Sequence, residues 1–193
     1  MKFGDGIDWN AEARRAAKEG MPGPKPGEMI SRITAKQRWN EPECPRLVDC
    51  GCNIARFYPE AKTAGFVYVG VDQAPEALAI ARSRYPEARF EQAMLWEPWS
   101  QCVGPVQAAI CNAVLQHNTH ADKKRILARI AQAVVPGGVF AMQESTVAVE
   151  TATQLRQGDW VALVEGFGFE LREMWHPNDE FKIFDGYLFT RKS

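Results

Sequence analysis

The chain is predicted to be an α/β protein, doubly wound about a mostly parallel sheet with helices on both faces. Two stretches carry that prediction. Between residues 47 and 72, a short apolar run (Leu47, Val48) ends in Asp49-Cys50-Gly51. A helix-length segment follows, and a second apolar run from Phe66 to Val71 ends in Asp72. Strand, tight turn, helix, strand, acid is half of a doubly wound unit. Further on, Val135-Pro136-Gly137-Gly138 separates an amphipathic segment from another apolar run. Proline and paired glycines suit a tight reversal from helix to strand.

Length and composition bound the rest. At 193 residues the chain is one domain with enough apolar residues for a full core. Its net charge of −1 favours neither nucleic acid nor an acidic membrane. No apolar run approaches membrane-spanning length, and Met-Lys-Phe-Gly-Asp-Gly at the start lacks the apolar core of a signal peptide. The five cysteines are odd in number, with Cys50, Cys52 and Cys111 in or at the ends of predicted strands. There is no Cys-x-x-Cys pair and no His at ligand spacing from a Cys, so the reading is reduced thiols, a cytoplasmic protein and no metal site.

In chain order, Asp8 to Glu19 reads as an amphipathic helix. Gly20 to Gly27 is too rich in Pro and Gly for helix or strand, and Glu28 to Trp39 is a second helix with Met29, Ile30, Ile33 and Trp39 turned inward. After the first strand a helix is expected to start near Asn53 and aim its free N–H groups at a ligand. Gly51, with no Cβ, lets that ligand lie against the backbone, and Asp72 at the next strand tip can accept both hydroxyls of a ribose. Pro75 suits the first turn of the following helix, whose buried face is Leu78, Ala81 and Tyr85. Ala88 to Glu91 and Val106 to Cys111 are the next strands, followed by a helix from Ala121 to Val134 with Ile126, Leu127, Ile130 and Val134 on one face. Gln143-Glu144-Ser145 is expected to open a variable segment after the fifth strand. Asp159 is placed as the cap of a short helix, and strands near Glu170–Trp175 and Ile183–Thr190 close the chain as a hairpin.

Asp49-Cys50-Gly51 resembles the first motif of the class I S-adenosylmethionine-dependent methyltransferases, typically Asp-x-Gly-x-Gly-x-Gly, with Asn53 and Ala55 where the later glycines stand. Arg56 matches an arginine that several members carry just after the loop. Asn112-Ala113-Val114-Leu115-Gln116-His117 resembles the family's segment after the fourth strand, and the Pro-Gly-Gly turn falls in the family's place. The resemblance covers roughly residues 45 to 191. It implies a seven-stranded sheet finished by an antiparallel hairpin edge and S-adenosyl-L-methionine as cofactor, with S-adenosyl-L-homocysteine as product. The cofactor residues it implies are Asp49, Gly51, Asn53, Arg56, Asp72, Gln73, Met94, Leu95 and Asn112. Met94 stands where the family commonly has an acid facing the adenine, so backbone N–H groups of Met94 and Leu95 are expected to hold the base while the Met94 side chain packs on the ring.

Methyl transfer needs alignment and, for some acceptors, removal of a proton. His117 and Glu144 are the candidates for that chemistry, and His117 reads equally as a residue bonded to backbone at a helix start. The acceptor is expected to be an O or N nucleophile of a small molecule or a peptide end. A cofactor-binding module without turnover, motivated by Asn53, Ala55 and Met94, and a methyltransferase acting on RNA are the alternatives. No basic stripe or base-clamping motif points to nucleic acid. A nicotinamide enzyme is disfavoured because Gly-x-Gly-x-x-Gly, read from Gly51, fails at Asn53 and Arg56. Residues 1–40 are expected to form a helical extension acting as a lid over a core of residues 41–193, and the oligomeric state is left open.

Overall fold

The structure is a computed structural model describing residues 2–3, 6–20, 26–36, 44–145, 155, 157–177 and 184–193. Its main sheet has seven strands: β1 (Arg46–Cys50), β2 (Val67–Asp72), β3 (Arg89–Gln92), β4 (Val106–Asn112), β5 (Val134–Ser145), β6 (Phe169–Trp175) and β7 (Phe184–Arg191). They lie in the order β3-β2-β1-β4-β5-β7-β6. The first five are parallel, and β7 runs antiparallel to both β5 and β6. The predicted doubly wound sheet and its antiparallel edge are therefore present.

Alternation along buried strands sorts the core into two layers. Val48, Cys50, Val69, Ala109, Phe140 and Phe189 face one side. There they meet α5 (Trp99–Val103), α6 (His120–Ala133) and α7 (Gln157–Glu165) through Trp99, Ile126, Ile130 and Trp160. Leu47, Tyr68, Ile110, Val139 and Leu188 face the other side, against α2 (Pro26–Lys36), α3 (Tyr58–Thr63) and α4 (Pro75–Arg84). Gly138 is needed where β5 enters the sheet, because a Cβ there would stand 2.9 Å from the carbonyl oxygen of Gln107 on β4.

The two N-terminal helices go to different places. α1 (Trp9–Glu19) is capped by Asp8, whose carboxylate accepts from the N–H groups of Asn10 and Ala11 at 3.1 and 3.2 Å. Its buried face is only Ala13 and Ala16, small enough to lie close against Ala77 of α4 and Ala74, the residue that precedes it. Asn10 Oδ1 accepts from the Glu76 N–H at 3.2 Å, satisfying an open donor in the first turn of α4, and Arg14 pairs with the Glu76 carboxylate. By contrast, α2 buries Met29, Ile30 and Ile33 in the core layer that holds Trp175 and Leu188.

Several sequence expectations need correction. The helix placed near Asn53 begins at Tyr58 instead. Asn53 and Ala55 have φ of 47° and 58°, and two left-handed residues cannot propagate a right-handed helix. The expected linker stops short of Pro26, since Pro26 and Gly27 form the first turn of α2, where the missing proline N–H costs nothing. Residues Gln143-Glu144-Ser145 are not loop but the end of β5. Gln143 pairs with Asn112 on one side, and the three pair with Gly186, Asp185 and Phe184 on the other. Asp159 lies within the first turn of α7 rather than at its cap. Trp39 and most of the segment from 146 to 156 lie outside the described residues. Among the described residues no helix is long and apolar enough to cross a membrane, and no group of three metal-ligating side chains occurs.

Candidate active site

A cavity of about 270 Å³ opens at the carboxyl ends of β1, β2 and β4, where Gly51, Asp72 and Asn112 meet. Gly51 has a φ of 79°, and a Cβ there would stand 2.5 Å from Val114 Cγ2, so both backbone shape and space require glycine. Asp72 ends β2 with its carboxylate almost fully buried. Its Oδ2 accepts from the Asn53 N–H and its Oδ1 from the Ala74 N–H, both at 2.8 Å. Burial pushes the Asp72 carboxyl above its ordinary range, and those backbone donors draw it back down. Asn53 and Gln73 line the cavity beside it.

The segment after β4 forms the next wall. Ala113 takes a φ of 54° and donates its N–H to the Gln143 carbonyl at 2.7 Å, which turns the chain back over the end of β5. That reversal presents the N–H groups of Val114, Leu115 and Gln116 to the Glu144 carboxylate at 3.2, 2.9 and 3.0 Å. Glu144 is fully buried and absent from the cavity wall. Burial raises its carboxyl to about 7 against the pull of the three donors. Its carboxylate is thus committed to backbone and cannot reach an acceptor, which corrects its candidacy for catalysis. From the other end, Lys123 donates to the Asn118 carbonyl, and burial lowers its ammonium to about 8.

His117 does line the cavity, with its ring edge-to-face with Trp9 at 5.0 Å between centroids. Gln116 Oε1 accepts from the Ser145 N–H at 2.7 Å, which leaves Gln116 Nε2 as the donor toward His117 Nε2 at 3.2 Å. That network assigns the neutral ring as the Nδ1–H tautomer. Asn112 lines the cavity as well, and its Oδ1 is buried without a hydrogen-bond partner among the described residues.

Other predicted residues stand elsewhere. Asp49 is buried behind the wall, where its Oδ2 accepts from the Tyr68 hydroxyl at 2.6 Å. Burial raises it to about 7 although Tyr68 and the Arg56 charge pull it down. Arg56, lowered by its own burial, supports Asp49 electrostatically and sits over the Phe57 ring; neither Asp49 nor Arg56 lines the cavity. Leu95 lines the cavity but Met94 does not, and the Met94 N–H already donates to Glu97 Oε2 at 2.9 Å. That engagement removes the Met94 backbone donor expected for the base. Trp96 takes the place beside Leu95.

Trp9, part of the extension expected over the pocket, does line the cavity, but sequence reasoning did not single out Glu12, Thr119, Asp122 or Phe184, which line it too. Thr119-x-x-Asp122 was readable as a helix start, and Thr119 Oγ1 does accept from the Asp122 N–H at 3.2 Å. Nothing local marks Phe184, which arrives from the far end of the sheet.

Sheet order, glycine turn and strand-end acid are those of the class I S-adenosylmethionine-dependent methyltransferases, and the comparisons with known proteins point the same way. Residues 47–138 match the family model described as a methyltransferase domain. The chain is 33% identical over 146 residues to a trans-aconitate 2-methyltransferase of Variovorax paradoxus, covering 71% of this chain and 50% of that protein. The same name belongs to a Methylobacterium nodulans relative, 37% identical over 110 residues, or 51% of this chain and 37% of that one. The chain thus spans about half the length of the curated relatives it matches. Among solved structures, a TehB-like S-adenosylmethionine-dependent methyltransferase from Corynebacterium glutamicum superposes with a TM-score of 0.70 at 19% identity, covering 96% of this chain and 97% of that one. An S-adenosylmethionine-dependent methyltransferase from Clostridium acetobutylicum gives 0.73 at 11% identity, over 97% and 100% of the two chains. At such identities the superpositions speak for the fold.

Proposed function

We propose that this protein transfers a methyl group from S-adenosyl-L-methionine to an oxygen or nitrogen nucleophile of a small molecule. The observation that carries the reading is the meeting of Gly51, Asp72 and Asn112 on one cavity wall. The residues fit the cofactor. Each Asp72 oxygen accepts one backbone N–H and keeps a lone pair for a ribose hydroxyl. The unpartnered Asn112 Oδ1 is a buried acceptor suited to an ammonium donor such as the cofactor's amino-acid end. When bound, the cofactor supplies a methyl group already activated by its sulfonium, so the chain's residues have mainly to align and enclose.

That division assigns roles. Gly51, Asn53, Asp72 and Gln73 bind, Leu95 and Trp96 pack on the base, and Asn112 orients the amino-acid end. Of the extension over residues 1–40, α1 contributes Trp9 and Glu12 to the cavity wall and is the part proposed to act as a lid, whereas α2 packs into the core. His117 is the candidate proton acceptor, using Nε2 once Gln116 releases it. The relatives' printed names support a small-molecule acceptor.

Calorimetric titration with S-adenosylhomocysteine beside NAD tests the reading. Binding of the first and not the second is expected; binding of NAD alone would overturn it.

A further inference from the structure

The cavity residues not assigned to the cofactor have a chemical character of their own. Trp9, His117 and Phe184 supply aromatic rings, and Glu12 and Asp122 supply carboxylates. Among the described residues on the wall there is no lysine or arginine. Arginines do lie just outside. Arg15 Nε donates to Glu12 Oε2 at 3.0 Å, and Arg125 pairs with Asp122 at 3.3 Å while covering one face of Trp96. Each arginine is the more exposed member of its pair, and the Thr119 hydroxyl donates to Asp122 Oδ2 at 2.7 Å. The carboxylates are therefore held in place from the solvent side.

We infer that the acceptor is an organic amine carrying an apolar group, bound as its ammonium between the Glu12 and Asp122 carboxylates and the rings of Trp9 and Phe184. The inference rests on the methyltransferase reading above. Ring faces attract cations, and carboxylates accept their N–H groups. An anion finds the reverse. Trans-aconitate carries three carboxylates and would have to draw Arg15 and Arg125 off their partners, leaving Glu12 and Asp122 unpaired beside it. The wall thus selects a different acceptor from the one in the relatives' names.

The transfer balances simply. The bound ammonium gives a proton to His117 Nε2, replacing the hydrogen bond from Gln116, and becomes the free amine. Its lone pair then forms the N–C bond as the methyl C–S bond breaks, and that electron pair stays on sulfur, which becomes the neutral thioether of S-adenosylhomocysteine. The positive charge passes to the methylated amine.

Calorimetry on protein first saturated with S-adenosylhomocysteine tests the inference, with phenethylamine and trans-aconitate as probes at pH 7. Phenethylamine is expected to bind and trans-aconitate not to. Asp122→Asn and Glu12→Gln, which keep shape and remove charge, should each weaken phenethylamine roughly 5-fold or more without changing S-adenosylhomocysteine affinity. Tighter binding of trans-aconitate, no binding of phenethylamine, or unchanged phenethylamine affinity in both variants would each overturn the amine assignment alone. Failure of S-adenosylhomocysteine to bind in the first step would instead overturn the cofactor reading, and the amine assignment with it. Unfolding temperatures of the variants separate lost recognition from lost fold.

Discussion

Asp72 and Glu144 occupy equivalent places, each an acid near the carboxyl end of a central parallel strand, and they do opposite work. Asp72 is 8% exposed and stands on the cavity wall, while Glu144 is 0% exposed and sealed behind it. Asp72 accepts from the Asn53 and Ala74 N–H groups, with the Gln73 N–H also drawing its carboxyl down, and Glu144 accepts from the N–H groups of Val114, Leu115 and Gln116. The difference lies in the covering loop. Beyond β1, the loop with Asn53 passes beside Asp72 and leaves its free side open. Beyond β4, the turn at Ala113 folds three donors down onto Glu144 and closes it off. An acid at a strand end is therefore a ligand contact or a clasp for backbone according to where the next loop lies.

Removing the clasp should show the largest effect. Glu144→Ala strands three backbone donors in a buried place and should cost about 3–5 kcal/mol of stability, read from urea unfolding. A loss below about 1 kcal/mol would break the contrast with Asp72. The same carboxyl should impose a pH dependence. Its folded pKa, raised to about 7 by burial, exceeds the ordinary glutamate value of 4.5, so the folded state holds the proton more tightly. The stabilisation is complete below the unfolded pKa and is lost as pH rises through the folded one. Stability should thus fall between about pH 4.5 and 7 by on the order of 3 kcal/mol from this group. Asp49, also raised to about 7, adds to the fall. Glu144→Gln should flatten the profile of urea midpoints over pH 5 to 8, with the residual slope belonging to Asp49 and Asp72, both raised by burial. An unaltered profile would remove Glu144 from this account.

Asp72 is expected to behave in the converse way. Asp72→Ala should weaken S-adenosylhomocysteine binding by about 1.5–3 kcal/mol, the range for charge-assisted hydrogen bonds, and cost less stability than Glu144→Ala because water at the cavity can reach the Asn53 and Ala74 donors. Calorimetry together with urea unfolding reads both quantities. Unchanged affinity in a folded variant would sink the ribose assignment.

The contrast also explains what was legible in the sequence. Strand-end acids and Gly51 are local signals with local causes, and they placed the sheet and one cavity wall; Pro136-Gly137-Gly138, read as a turn, instead lies inside β5, where the register with β4 shifts. Asp72, Gly51 and Asn112 were readable because each sits where its own strand ends. Glu144 was misplaced because its partners lie 28 to 30 positions earlier, and β5 runs further than its apolar run suggests. The two N-terminal helices have similar amphipathic patterns, yet α1 offers only alanines to its neighbour and α2 offers Met29, Ile30 and Ile33. Side-chain size, more than pattern, separates the cover of the cavity from a piece of the core. Phe184 reaches the cavity through tertiary packing that no window of sequence contains.

The smallest expected effect compares the two covering loops themselves. Both depend on an alanine in the left-handed region: Ala55 at φ 58° on the Asp72 side and Ala113 at φ 54° on the Glu144 side. That conformation costs a residue with a Cβ about 1–2 kcal/mol, and glycine escapes the cost. Glycine also has a freer unfolded chain, which returns about 0.4–1 kcal/mol. Ala55→Gly and Ala113→Gly should therefore each stabilise the protein by less than about 1 kcal/mol, seen as a small rise in urea midpoint. Their ligand effects should differ. Ala113 lines the cavity and Ala55 does not, so Ala55→Gly should leave S-adenosylhomocysteine affinity unchanged, while Ala113→Gly loosens the wall beside Asn112 and should weaken it slightly. Should Ala55→Gly instead tighten binding several-fold, the Asp72-side loop would be limited by its missing glycine, and its hold on Asp72 through the Asn53 N–H would be strained rather than settled.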